Sequence, residues 1–135
     1  MQNFDVQSVG LQVSKTVAFN YIADPNNLPE WTNAFSAVSE GKAVMTTPEG
    51  ELEVGLDVES SASHGSIDWR IIFPDGSVAR AFSRLMIIGS SECVYSFVLT
   101  PPPVPLEMLE GALSEQSKIL AQELIDLKRI LEQSQ

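Results

Sequence analysis

The sequence predicts an α+β fold: a curved antiparallel sheet of about six to seven strands wrapped around one long C-terminal helix, with two short helices after the first strand. Three observations carry it. Residues 51–59 (ELEVGLDVE) alternate strictly, with Leu52, Val54, Leu56 and Val58 on one side and Glu51, Glu53, Asp57 and Glu59 on the other, which is the period of a half-buried strand. Similar runs between residues 35 and 100 are separated by turn signals, Asp75-Gly76 foremost. From residue 106 to 133 the period changes, and Leu106, Leu109, Leu113, Leu120, Leu124, Leu127 and Leu131 recur at three- and four-residue steps, with Ile119 and Ile130 widening the stripe.

Taken in order, residues 4–13 read as a first strand. Ser14 and Thr16 offer capping oxygens to a helix over VAFNYIA. Asp24-Pro25 stops it, because a residue before proline avoids the helical region. A second helical turn starts near Leu28-Pro29, proline being favoured at the first helical position. Strands follow at 35–40, 43–47, 51–59, 66–73, 78–88 and 93–100. Pro101, Pro102, Pro103 and Pro105 end the sheet, since proline cannot donate to a ladder. No linker, repeat or low-complexity tract interrupts residues 1–135, which read as one domain.

Composition narrows the function classes. The 135 residues are 44% hydrophobic and 19% charged, with net charge −10, an ordinary globular balance. A phosphate backbone would repel that surface and no Lys/Arg stripe exists, so nucleic acid is not an expected partner. No apolar run is long enough to span a bilayer. The N-terminal residues show no secretory pattern. The single cysteine, Cys93, cannot form an internal disulfide, in keeping with a cytoplasmic location. No zinc spacing, phosphate loop or nucleophile motif appears, so no metal or cofactor is expected.

Hairpin turns give a register to the sheet. With Asp75-Gly76 as a two-residue turn, Phe73 faces Val78, Ile71 faces Arg80, Trp69 faces Phe82 and Ile67 faces Arg84. With Ser61–His64 as a loop, Leu56 faces Trp69. With Gly89–Glu92 as a loop, Met86 faces Tyr95, Arg84 faces Phe97 and Phe82 faces Leu99. One face then collects Trp69, Ile71, Phe82, Met86, Tyr95 and Phe97 beside the aliphatic residues of 52–58, and it carries Arg80 and Arg84. The other face collects the acidic residues, Arg70, Ala79, Ala81 and Ser83.

This order of elements, with VAFNYIADPNNLPEWT at 17–32, the DGS turn at 75–77 and SKILAQELIDLKRILE at 117–132, resembles the helix-grip fold of the START/pollen-allergen (SRPBCC) superfamily. Within it the chain is similar to small bacterial polyketide cyclase/dehydrase-like proteins. The resemblance spans essentially the whole chain. It implies lipid or hormone binding, or aromatase/cyclase activity, and supplies no universal catalytic residue to carry over. A fold alone does not settle a function.

Candidate ligand-binding residues are Arg80, Arg84, Trp69, Phe82, Tyr95 and Phe97 on the inner face, Trp31 as a gate, and Met108, Ala112 and Gln116 on the helix. Trp31 and Trp69 have plain core packing as their alternative role. Gly111 and the Gln116-Ser117 break in the leucine stripe predict a cavity opposite the sheet, bordered also by Glu115. Arg80 and Arg84 require an anion, such as Glu115 or a ligand carboxylate, or an escape to water. His64 in a turn reads as solvated, Cys93 as a small hydrophobe, and the acidic set at 51–59 as a solvated face with weak ion pairs. Catalytic residues are not assignable.

The expected function is binding of a small, largely apolar or amphipathic molecule, acids included, between sheet and helix. A cyclase/dehydratase-type enzyme acting on an aromatic or ketide substrate is the alternative. A structural or interaction protein with a filled interior is the third, and as a binder the chain would be a monomer or homodimer.

Overall fold

The computed structural model describes residues 4–47, 50–100 and 106–133, with side chains described for all of these except 47 and 106–114. The elements run β1 (Asp5–Leu11), α1 (Lys15–Ile22), a short 3-10 turn (Pro25–Asn27), α2 (Leu28–Trp31), β2 (Phe35–Ser39), β3 (Lys42–Thr47), β4 (Gly50–Ser61), β5 (Ser66–Ile72), β6 (Val78–Gly89), β7 (Glu92–Leu99) and α3 (Leu106–Gln133). The strands form one curved antiparallel sheet in the order β1-β7-β6-β5-β4-β3-β2. Sequence neighbours therefore pair throughout, except that β1 closes against β7.

Local chemistry sets the short helices. The Ser14 side chain accepts from the Val17 amide at 3.2 Å and caps α1. Asp24 accepts from the Asn26 amide at 3.0 Å, and Pro25 and Pro29 occupy first-turn positions. These two pieces carry buried Leu28 and Trp31 over one end of the sheet.

The long helix α3 buries Leu120, Leu124, Leu127 and Leu131 against the sheet's inner face, the stripe the leucine period predicts. Polar clasps fasten it along β1. The Gln7 amide donates to the Ser117 carbonyl (2.7 Å) and hydroxyl (2.9 Å), and the Ser117 hydroxyl donates to Asp5 at 2.7 Å. Toward the other end, Lys128 donates to the Gly10 carbonyl at 3.0 Å and Glu132 accepts from the Gln12 amide at 2.8 Å. Ser117 thus anchors the helix where the lapse in the stripe predicts open space.

The register of β6 departs from the expectation. Trp69 pairs with Ala81 and Ile67 with Ser83, while Leu85 pairs with Tyr95 and Ser83 with Phe97. Each is one residue off the two-residue-turn reading, and a slip of one exchanges the faces of a strand. The cause lies in both flanking turns. At 73–77 the Phe73 amide donates to the Ser77 carbonyl (2.9 Å) and the Gly76 amide to the Phe73 carbonyl (2.9 Å), so three residues form the loop, closed by Gly76 at φ +90°. Past Ile87 a bulge shifts the register again before Gly89 meets Glu92. Ala79, Ala81, Ser83 and Leu85 therefore point inward, and Arg80, Phe82, Arg84 and Met86 point to solvent.

Between β4 and β5 the register is two residues from the expected one, with Val58 opposite Trp69 and Leu56 opposite Ile71. An even shift keeps the faces. Gly65 (φ +71°) lets the β4–β5 turn lie against β6, where the Leu85 amide donates to its carbonyl at 2.7 Å and a Cβ would meet the Leu85 carbonyl oxygen at 2.3 Å.

The face assignment of β6 is directly measurable. Leu85 is 1% exposed, so Leu85→Ala should cost about 2–5 kcal/mol as a core truncation, whereas Arg80→Ser should change stability by less than about 0.5 kcal/mol. Urea melts of the two variants check this, and the reverse order would mean that β6 is turned over.

Candidate functional site

The inner face of the sheet brings an aromatic cluster together. Trp31, Tyr95 and Phe97 meet edge-to-face, with ring centroids 6.5 Å apart for Trp31–Tyr95 (interplanar 82°) and 6.2 Å for Tyr95–Phe97 (71°), the geometry the ring quadrupoles favour. Trp31 arrives from α2, Tyr95 and Phe97 from one face of β7, and Trp69 from β5. Between β5 and β7, strand β6 contributes only Ala79, Ala81 and Ser83 before Leu85.

Trp31 Nε1, Trp69 Nε1 and the Tyr95 hydroxyl are buried and make no well-formed hydrogen bond among the described residues, on residues 4%, 6% and 0% exposed, although the Ser83 hydroxyl and the Trp69 indole lie close enough to the Tyr95 hydroxyl to interact with it. Buried polar groups are nearly always satisfied, because an unmade bond costs about 1–3 kcal/mol. The Ser83 hydroxyl donates to the Ile67 carbonyl at 2.5 Å, and its oxygen keeps lone pairs that can accept from Tyr95. Complete burial pushes the Tyr95 hydroxyl well above its ordinary pKa, opposed by weaker hydrogen bonding from Ser83 and Trp69. It is therefore a neutral O–H donor at any physiological pH.

Glu123, absent from the sequence expectations, is the one buried carboxylate among the described residues (7% exposed). It accepts from the Asn33 amide at 2.6 Å and so ties α3 to the segment leaving α2, two residues past Trp31. Desolvation raises its pKa, opposed by the Asn33 and Ala34 amides and reinforced by Asp126. Its signal in the sequence is a carboxylate at a stripe position, three residues after Leu120 and four before Leu127.

Other expected site residues fall elsewhere. Arg80, Arg84 and Phe82 lie on the outer face, for the register reason above, with Phe82 41% exposed. They cannot hold a ligand between sheet and helix, and the guanidinium groups need no buried anion there. Gln116 is half-buried and Glu115 exposed. Met108 and Ala112, and the cavity expected beside them and Gly111, lie outside the residues whose side chains are described. His64 is exposed in its turn, with Ser61 Oγ 2.9 Å from its Nδ1. Cys93 is buried, and desolvation, with Glu92 adding to it, raises its thiol pKa. A surface cleft of about 410 Å³, walled by Lys15, Phe19, Ala62 and Ile87, shares no residue with the aromatic cluster. No helix among the described residues is long and apolar enough to cross a membrane.

The raised pKa of Glu123 fixes a sign. The folded protein binds this proton more readily than the unfolded chain, so its contribution to stability is present below the ordinary value of 4.5 and lost as pH rises through the elevated folded pKa. Wild type should therefore gain stability relative to Glu123→Gln as pH falls through that window. At neutral pH Glu123→Ala, which leaves the Asn33 amide without its acceptor, should cost about 1.5–3 kcal/mol. Chemical denaturation at a series of pH values reads both, and a wild type that loses ground to Glu123→Gln on acidification would contradict the assignment.

No family model and no curated protein matches the chain. Solved structures do. The protein XoxI from Bacillus cereus superposes with a TM-score of 0.71 at 14% identity, over 96% of each chain. A START superfamily protein from Mycobacterium smegmatis gives 0.67 at 12% identity, over 99% of this chain and 100% of that one. The ZhuI aromatase/cyclase from Streptomyces sp. R1128 gives 0.66 at 9% identity, over 96% and 92%. At such identities the likeness is one of fold. The chain has a helix-grip fold like that of the START superfamily protein and of the aromatase/cyclase.

Proposed function

We propose that the protein binds a small, largely apolar, ring-bearing molecule between the inner face of the sheet and α3, and that the molecule is neutral and carries oxygen acceptors. The observation that carries this is an inner-face aromatic cluster with three buried polar groups, Trp31 Nε1, Trp69 Nε1 and the Tyr95 hydroxyl, none in a well-formed hydrogen bond among the described residues. A site with convergent polar groups in an apolar, aromatic setting is the usual form of a small-molecule site. Acceptors on a ligand would offer such groups partners. A carboxylate ligand fits poorly, because Arg80 and Arg84 are on the far side of the sheet and the described interior holds the anion Glu123 but no cation. An unpaired charge there costs far more than a neutral acceptor.

A cyclase/dehydratase-type enzyme is the second reading. It is supported by the aromatase/cyclases among the structural neighbours and by a buried carboxyl group whose pKa is raised toward the range useful for proton transfer. A protein with a filled interior is the third.

The two tryptophans of the chain, Trp31 and Trp69, are both in the proposed site, so their fluorescence reports on it. Native mass spectrometry should retain a co-purifying small molecule. In titrations, aromatic ketones or phenols should bind more tightly than hydrocarbons of the same shape, and aromatic acids least. Tyr95→Phe and Trp69→Phe should weaken the ketones roughly 3- to 10-fold, the worth of one hydrogen bond, and leave the hydrocarbons unchanged. No binding of any class would sink the binding reading in favour of a filled interior. Turnover of a ketide substrate, lost in Glu123→Gln, would select the enzyme.

A further inference from the structure

A second concavity lies apart from the interior. The surface cleft of about 410 Å³ is walled by one side of α1, the β4–β5 turn and the β6–β7 turn. Its size falls within the about 300–1,000 Å³ usual for small-molecule clefts. Neither tryptophan lines it, and it shares nothing with the aromatic cluster.

Lys15 is its distinguishing residue. Of the chain's eight Lys and Arg side chains, two are partly buried, Lys15 and Lys128. Lys128 is neutralised, its ammonium lying 2.5 Å from Glu132 and 3.0 Å from the Gly10 carbonyl. Lys15 has no ion pair among the described residues. Its stem is laid over Gly65, where an added Cβ would stand 3.1 Å from Lys15 Cε, so the β4–β5 turn holds the ammonium at the cleft. A partly buried cation gives up hydration that an anion or several acceptors must replace.

The rest of the wall supplies no counter-charge. The chain has 18 acidic residues, and none lines this cleft. Glu92, opposite Gly89 in the β6–β7 hairpin, accepts from the Gln12 side chain at 3.0 Å. Thr16, Asn20 and Ser90 bring uncharged polar side chains, while Phe19 and Ile87 bring apolar surface, Ile87 being 65% exposed. A cation, neutral donors and bare aliphatic surface in one concavity match a molecule with a charged end and a short apolar body.

We propose that this cleft binds a small aliphatic carboxylate, its charged end against the Lys15 ammonium and its chain over Phe19 and Ile87. A single negative charge fits because a single cation faces it. A phosphate ester carries about 1.5–2 negative charges at neutral pH, and the excess would stand unpaired on a protein of net charge −10. The site is independent of the interior one. It offers a cation where the interior offers neutral donors, so the two select opposite chemistries.

Amide and side-chain NMR of the full chain, titrated with hexanoate, hexanol and hexyl phosphate, tests the site. Hexanoate should saturably shift the signals of residues 14–20, 62 and 87–90 and leave those of Trp31, Trp69 and Tyr95 in place. Hexanol and hexyl phosphate should bind there more weakly. Lys15→Met keeps the stem and removes the charge; it should raise the hexanoate Kd at least about threefold and leave hexanol unchanged. Lys15→Arg should retain most of the affinity, and Ile87→Ser should weaken hexanoate and hexanol alike. The spectra report the folding of each variant. If Lys15→Met does not fold, salt titration of the wild type takes its place, and added salt should weaken hexanoate and spare hexanol. Several results overturn the proposal: no saturable shifts at the cleft, shifts confined to the interior rings, hexanol or hexyl phosphate binding as tightly as hexanoate, or a hexanoate affinity indifferent to both Lys15→Met and salt.

Discussion

Which side strand β6 turns toward the helix governs both surfaces of the sheet, and two odd-numbered departures from simple hairpin geometry decide it. The loop of Pro74, Asp75 and Gly76 holds three residues, and the strand bulges between Ile87 and Gly89. Asp75 accepts from the Ser77 amide at 2.9 Å and from its hydroxyl at 2.6 Å, bracing the loop. With β6 so turned, the inward row is Ala79, Ala81, Ser83 and Leu85. The outward row is Arg80, Phe82, Arg84 and Met86. Had the loop held two residues, two guanidinium groups would be buried in the core, at a cost no described neighbour offsets. The register is therefore fixed as much by what it keeps out of the interior as by what it buries.

The helix is held in two different ways. Its leucines supply non-directional burial, which resists separation but tolerates sliding. The clasps through Gln7, Ser117, Lys128 and Glu132 are directional and join α3 to the edge strand β1. They set the rotation and height of α3, and they occupy part of an edge that would otherwise be free to pair with another strand. Glu123 extends the same logic to α2, since its bond to Asn33 fixes the segment that delivers Trp31. The aromatic cluster thus rests on parts joined by polar contacts.

Element order and period were legible in the sequence because they depend on patterns that local chemistry enforces. Ser14, Asp24, Pro25 and Pro29 mark the short helices by capping and proline geometry, and the stripe from Leu120 to Leu131 marks the buried side of α3. The register of β6 was not legible, for an instructive reason. The three-residue loop before it and the bulge after it each displace it by one, so β5 and β7 stay in phase with each other. Trp69 and Tyr95 therefore fall on the same face under either reading, and agreement among neighbouring hairpins could not expose the error in the strand between them. Asp-Gly is compatible with a two-residue turn and with a three-residue loop whose last residue is the glycine. Only the composition of β6 separated the two, since inward Ala and Ser with outward Arg is the cheaper burial.

The same distinction decides which ligand chemistry the proposed binding reading can include. With arginines inside, the natural ligand would be an acid held by a paired charge. With them outside, the donors left in the described interior are neutral: two indole N–H groups and a phenol held in its protonated form by burial. Neutral donors discriminate through the cost of leaving them unmet, so they reject a hydrocarbon more firmly than they attract any one oxygen function. Selectivity of that kind favours a class of molecule over a single compound, and it requires no titratable partner near the bound ring. A role in catalysis would have to come through Glu123, whose bond to the Asn33 amide already engages one carboxylate oxygen. The proposed binding reading therefore draws on neutral aromatic donors, whereas a catalytic one would draw on a carboxylate already employed in holding the fold.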